Sequence, residues 1–250
     1  MNFKGISWKS HPIDLSSGEN YSKYYLGINP RGLVPTLVYN GEVHIESNDI
    51  LTLLENTFVD KKLIPHGMED GIAELLSHED DLHLDLRNIT FRFTQRRGKE
   101  PRSKETLKNY RDRGTGTVRG RKDPQKEIEL NFWETAANDG ITDKAIRNSA
   151  QSFKSTLNEL GARLINSKYL YGNNITVADI AWVIYVNRLV ICGYPLERLH
   201  PEINNWFWPL RNLPEFDKEL QISTSLKQAI DDHHLAQRRE GRTLVDVAEL

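Results

Sequence analysis

Asn29-Pro30-Arg31-Gly32-Leu33-Val34-Pro35-Thr36-Leu37-Val38-Tyr39-Asn40-Gly41-Glu42-Val43-His44-Ile45-Glu46-Ser47-Asn48-Asp49-Ile50 reads as a loop, a strand, a tight turn, a second strand and the start of a helix. Asn40-Gly41 separates two β-prone runs, Thr36–Tyr39 and Glu42–Ile45. A two-residue hairpin turn admits only residues that tolerate positive φ, so this pair predicts a hairpin. Ile50, Leu51, Leu53 and Leu54 follow at helical spacing, and Ser47 stands where an N-cap belongs.

The start of that helix has a chemical use. Backbone N–H groups and the positive end of the helix dipole meet there, which suits a carboxylate or a phosphate. Taken alone, Ser47 is a helix cap and no more. Pro35 adds to it: a proline at a strand start supplies no donor and marks a special backbone, of which a cis bond is one form. A cis bond would turn the N–H and C=O of Val34 outward, toward a peptide-like ligand.

The run N-P-x-G-x-V-P-T-L-V, followed by N-G and E-S-N-x-I, resembles the glutathione-binding half of a cytosolic glutathione transferase. The resemblance implies a thioredoxin-like domain with a cis-proline, here Pro35, before a strand. It implies that the Val34 backbone pairs with the cysteinyl part of glutathione. Glu46 would answer the γ-glutamyl ammonium, and Ser47 with the helix N-terminus would answer its carboxylate. Arg31 and Gly32 fall where other members contact the glycyl end, and Leu33 where many carry a Lys or Gln donor. Leu33 cannot donate, so one hydrogen bond worth roughly 0.5–1.5 kcal/mol is missing or replaced. Arg31 reads either as the replacement or as a solvated loop cation.

Phe3-Lys4-Gly5 looks like the last turn of a helix with a glycine stop, and Ile6 to Asp14 like a short strand interrupted by Pro12. Against the family pattern, the first strand and nearly all of the first helix would lie upstream of Met1. The expected fold class is therefore a truncated α/β thioredoxin-like N-terminal domain plus an all-α C-terminal helical domain. In the family the upstream segment carries the Ser, Cys or Tyr that acts at the sulfur. Ser7 and Ser10 come after the helix remnant, so no catalytic residue is assigned. A misplaced start and a degenerate relative both account for this beginning.

The two domains are expected at 1–60 and 71–250, the boundary lying near Leu63-Ile64-Pro65 and Gly67. Ile72, Leu75, Leu76, Leu82, Leu86, Ile89 and Phe93 predict one long helix over about 71–97. His78 and His83 share it with Glu79, Asp80, Asp81 and Asp85. The two imidazoles stand about 140° apart at 3.6 residues per turn, so no metal site is expected. Residues 98–124 form a basic insertion with nine cationic and four anionic residues, four glycines and two prolines. It reads as mobile and solvated, with clamping of an anionic substrate as its functional option. Nucleic acid is disfavoured because Tyr110 is its only stacking aromatic. An insertion at this place resembles the branch of the family that includes hydroquinone dehalogenases.

Beyond it, apolar stripes such as Phe153, Leu157, Leu160 and Leu164 predict further helices. Thr176 and Asp179 have capping-box spacing, which makes Asp179 structural rather than catalytic. Cys192 reads as a small buried hydrophobe. The tail from Leu226 to Leu250 reads as a cover for the substrate side of the cleft or as a frayed end.

Composition narrows the classes. The 250 residues carry a formal net charge of −2, which gives no general attraction to nucleic acid or anionic membranes. Cys192 is the only cysteine, so an intrachain disulfide framework is excluded. The most apolar window, 175–193, contains Asp179, Asn187 and Arg188 and reads as a buried helix rather than a membrane span. The N-terminus shows no apolar targeting segment, and the chain reads as cytoplasmic. The resemblance implies a homodimer with glutathione as co-substrate and no metal or membrane partner. The implied reaction is attack of the glutathione thiolate on a small electrophilic or hydrophobic molecule, aromatic or halogenated. A non-catalytic binder of glutathione or of hydrophobic ligands on the same scaffold is the alternative.

Overall fold

The computed structural model describes residues 1–95, 102–114 and 116–250. After a 3-10 turn at Asn2–Lys4 and a second at Glu19–Tyr21 come α1 (Lys23–Ile28), β1 (Thr36–Tyr39), β2 (Glu42–Ile45) and α2 (Ser47–Thr57). Next are α3 (Glu69–Asp81), α4 (His83–Thr94), α5 (Lys104–Asp112), β3 (Thr117–Val118), β4 (Arg121–Lys122) and α6 (Gln125–Asp139). The chain continues through α7 (Asp143–Leu164), α8 (Val177–Ile191), α9 (Leu196–Leu199), α10 (Pro201–Arg211) and α11 (Pro214–Asp217). It finishes with α12 (Thr224–Glu240) and α13 (Leu244–Ala248). A small α/β portion thus precedes a mostly helical one, as the sequence leads one to expect. Among the described residues no helix is long and apolar enough to cross a membrane.

The chain forms two compact units: Met1 with Ser7–Val59 and Glu100–Gly140, and Asn2–Ile6 with Asp60–Lys99 and Ile141–Leu250. In the first, Asn40 and Gly41 take φ of +51° and +81°, the pair of positive values that a type I′ turn requires. The turn fixes an antiparallel register of Thr36↔Ile45 through Tyr39↔Glu42. Residues 6–14 form no strand, contrary to the short strand expected there. Pro12 lacks a donor, and the sheet here is the two strands β1 and β2 alone among the described residues.

The basic insertion departs from its reading as mobile and solvated wherever it is described; 98–101 and 115 lie outside the described residues. Leu107 and Tyr110, three apart, give α5 an apolar stripe beneath its charges, and they are 5% and 0% exposed. Ser103 caps α5 by accepting from the Thr106 N–H at 3.1 Å. Lys126 Nζ donates to the carbonyls of Arg111 and Arg113 at 3.0 and 2.5 Å, placing a cation where the helix dipole is negative. Tyr110 stacks on Tyr21 at 4.1 Å and joins Tyr21, Leu26 and Leu130 in one buried cluster. Burying a ring of this size contributes roughly 2–3 kcal/mol.

In the helical unit the expected helix over 71–97 is two helices, broken at Leu82, whose φ and ψ are −86° and 5°; 96 and 97 lie outside the described residues. Leu82 stays buried at 6%, so the break leaves the apolar stripe in phase. His78 pairs with Thr156 at 3.1 Å and His83 with Arg87 at 2.8 Å. No group of metal-ligating side chains occurs among the described residues. The core holds Phe93, Phe153, Trp182 and Phe207, all fully buried. Asp179, also fully buried, accepts from the N–H groups of Leu170 and Thr176, the Thr176 hydroxyl and the Trp206 indole, each at 2.9 Å. The tail is ordered helix: His234 donates to the Phe93 carbonyl at 3.1 Å, and Leu244 and Val247 of α13 are buried.

Candidate functional site

The register places four residues at one end of the hairpin. Because Thr36 pairs with Ile45, Val34-Pro35 and Glu46-Ser47 flank the last rung on the same side. The Val34–Pro35 peptide is cis, and Val34 is 45% exposed at this edge.

The bend before Val34 is held by buried polar groups that the sequence reading left without a role. Asn29, fully buried, donates from Nδ2 to the Leu33 carbonyl at 2.8 Å and accepts at Oδ1 from the Arg31 N–H at 3.0 Å. The Tyr25 hydroxyl donates to the same Leu33 carbonyl at 2.7 Å. Burial pushes the Tyr25 phenol above its ordinary range, which keeps it protonated and donating. Asn20 Nδ2 donates to the Gly32 carbonyl at 2.6 Å. Gly32 itself has φ of +65°, and a Cβ there would lie 2.9 Å from the Tyr21 ring, so no larger residue fits without displacing that ring. Isolated Asn and Tyr side chains carry no pattern in a sequence; the Asn29-Pro30 start of the motif was the one signal available.

Glu46 is the N-cap of α2, a place the sequence reading gave to Ser47, which is instead the first helical residue. The first helical bond runs from the Ile50 N–H to the Glu46 carbonyl at 3.0 Å. Glu46 takes φ of +70° with ψ of 126°, outside the left-handed helical well and costly for a residue with a Cβ. Its side chain, 36% exposed, accepts from Arg31 NH1 at 2.7 Å. Ser47 is exposed at the helix N-terminus.

Arg31 is not a solvated loop cation. It lies between two carboxylates, Glu46 on one side and Asp123 on the other. Its Nε and NH2 reach Asp123 Oδ2 at 3.0 and 2.5 Å. Burial opposes the charge, while the bonds to Asp123 and Glu46 raise the guanidinium above its ordinary value and hold it cationic. Asp123 stays below the usual carboxylate range against the cost of burial, through Arg31 and the Gln125 N–H. In the helical unit a cavity of about 340 Å³ is lined by residues including Arg92, His233, Gln237 and Arg242, and none of the four predicted residues contributes to it.

This arrangement has relatives. Residues 1–57 match the family model of the glutathione S-transferase N-terminal domain and residues 134–214 that of the C-terminal domain; together they span more than half of the chain. The tetrachloro-p-hydroquinone reductive dehalogenase of Sphingobium chlorophenolicum is 25% identical over 194 residues, 74% of this chain and 73% of the relative. A maleylacetoacetate isomerase of Pseudomonas aeruginosa is 33% identical over 84 residues, 30% of this chain and 40% of that protein. Among solved structures, the β-etherase LigF from Sphingobium sp. strain SYK-6 has a TM-score of 0.69 at 21% identity, covering 88% of this chain and 90% of its own, a likeness of fold. The two matched domains and the shared fold together establish that the chain belongs to the glutathione S-transferase family.

Proposed function

We propose that this protein is a glutathione-dependent transferase in which Val34, Pro35, Glu46 and Ser47 hold glutathione as co-substrate. The Val34 backbone pairs with the cysteinyl unit, Glu46 takes the γ-glutamyl ammonium, and Ser47 with the α2 N-terminus takes its carboxylate. One observation carries this reading: an exposed peptide edge, a carboxylate and a helix N-terminus stand at the same end of one hairpin. A ligand with an amide, an ammonium and a carboxylate matches all three. The thiolate sulfur then bonds to an electrophilic carbon of a small hydrophobic molecule, and the leaving group departs with its electron pair. The likeness to a hydroquinone dehalogenase supports an aromatic or halogenated substrate. A thiolate near neutral pH needs a donor or helix N-terminus to lower its pKa. Cys192 plays no part, being 2% exposed with its thiol pushed up to about 12 by burial. The same reading gives residues 1–60 the glutathione half and 71–250 the electrophile's pocket, in a cytoplasmic homodimer.

Calorimetric titration of glutathione into the 250-residue protein tests it, with Ser47→Ala as control. Binding is expected, weakened about tenfold in the variant by loss of one charge-assisted hydrogen bond. Binding without turnover of any electrophile would favour a glutathione-binding role, and absence of binding by the folded protein would sink the assignment.

A further inference from the structure

Glu46 does not stand alone at the end of the hairpin. Arg31 joins it to Asp123, so two carboxylates share one guanidinium. Asp123 arrives from the insertion, 92 positions along the chain, directly after β4. It is fastened there: its Oδ1 accepts from the Gln125 N–H at 2.9 Å, and its own N–H donates to the Gly116 carbonyl at 3.0 Å. The insertion holds the Arg31 backbone as well, through the Tyr110 hydroxyl, which donates to the Arg31 carbonyl at 2.7 Å. Arg31 is thus fixed at its main chain and at one side of its fork, and only the NH1 edge faces Glu46.

The charges decide what this cluster accepts. Arg31 and Glu46 alone would be neutral, and a cationic ligand group would have to displace the guanidinium. With Asp123 present the three side chains sum to −1, and Arg31 is satisfied on the Asp123 side by two of its three bonds. Glu46 is left with exposed surface and spare acceptor capacity, at 36% against 11% for Asp123. We propose that Asp123, acting through Arg31, is a positioning and specificity residue that keeps Glu46 able to accept a ligand ammonium, so that the site selects γ-glutamyl peptides with a free α-amine. This rests on the assignment of glutathione to the site. The insertion then serves the peptide co-substrate, distinct from the anion clamp that its net charge suggests.

The test is a pair of titrations on the whole protein, with glutathione and with glutaryl-cysteinyl-glycine, which lacks only the α-amine. The wild type is expected to prefer glutathione by about tenfold, the scale of one charge-assisted hydrogen bond. Asp123→Asn is expected to lose most of that preference by weakening glutathione alone, while the deaminated peptide binds within about twofold of the wild type. Asp123→Glu, which keeps the charge, should restore part of the preference, and circular dichroism establishes that each variant is folded. Equal weakening of both peptides in Asp123→Asn would reduce Asp123 to a structural fastening, and an unchanged preference would remove it from recognition; either overturns the inference. Failure of the folded wild type to bind either peptide overturns the glutathione assignment instead.

Discussion

Two carboxylates, each at the start of a helix, are used in opposite ways. Asp179, in the first turn of α8, is fully buried and accepts four hydrogen bonds from three residues. Glu46, at the N-cap of α2, is partly exposed, pairs with Arg31 and sits in a costly backbone conformation. The first has no acceptor capacity to spare, so it organises the chain around it: the segment before α8, the cap of α8 and the indole of α10. The second holds its geometry at an energetic cost and keeps capacity in reserve. A carboxylate whose bonds are all made inside the protein is architecture, and one held open under strain has room for a ligand.

Removing the saturated carboxylate should have the largest effect. Asp179→Ala leaves two backbone N–H groups and an indole N–H buried without their acceptor. We expect a loss of about 3–5 kcal/mol in chemical denaturation, and a fall in Tm of roughly 10 °C. Asp179→Asn keeps one oxygen and should cost less. A loss below about 1 kcal/mol would break the comparison, because Asp179 would then no longer be the hub its four bonds describe.

Glu79 offers a third case, a buried carboxylate with neither saturation nor openness. Burial and the neighbouring Asp80 push it up to about 7, against which the Tyr185 hydroxyl only partly works. The folded protein therefore keeps a proton that the unfolded chain releases near 4.5. That contribution to stability is complete below the unfolded value and is lost as pH rises toward 7. Denaturation midpoints should fall over this window by the equivalent of about 2–3 kcal/mol, and Glu79→Gln should flatten the slope. A wild-type profile that matches the Gln variant would show that water or a cation already serves this carboxylate.

The sequence carried part of two of these environments. Thr176 and Asp179 declare themselves by spacing, and the Asn40-Gly41 turn pins the register that brings Pro35 and Glu46 to one end. Those signals are local, set by neighbours within four residues. The bond from Arg31 to Asp123 is nonlocal and left no trace near either residue. Counting charges hid the folded insertion, because nine cations outweighed the single apolar pair Leu107 and Tyr110 that buries α5. The break at Leu82 was invisible for a different reason: it keeps the buried face in phase, and periodicity reports phase rather than continuity. The strain at Glu46 could not be read either, since a glutamate gives no hint of a positive φ.

That strain supplies the smallest effect and a direct separation of the two carboxylates. Glu46→Ala and Glu46→Gly both abolish the pair with Arg31 and the proposed seat for the ammonium. They differ in backbone alone, since glycine adopts φ near +70° without the penalty a Cβ incurs. The glycine variant should therefore be more stable than the alanine variant by about 1 kcal/mol, while both lose affinity for glutathione to the same degree. If glycine and alanine at position 46 prove equally stable in urea, the open geometry of Glu46 has no energetic cost. If glycine gains stability as affinity is lost, position 46 is a place where the chain gives up stability to keep a carboxylate aimed outward.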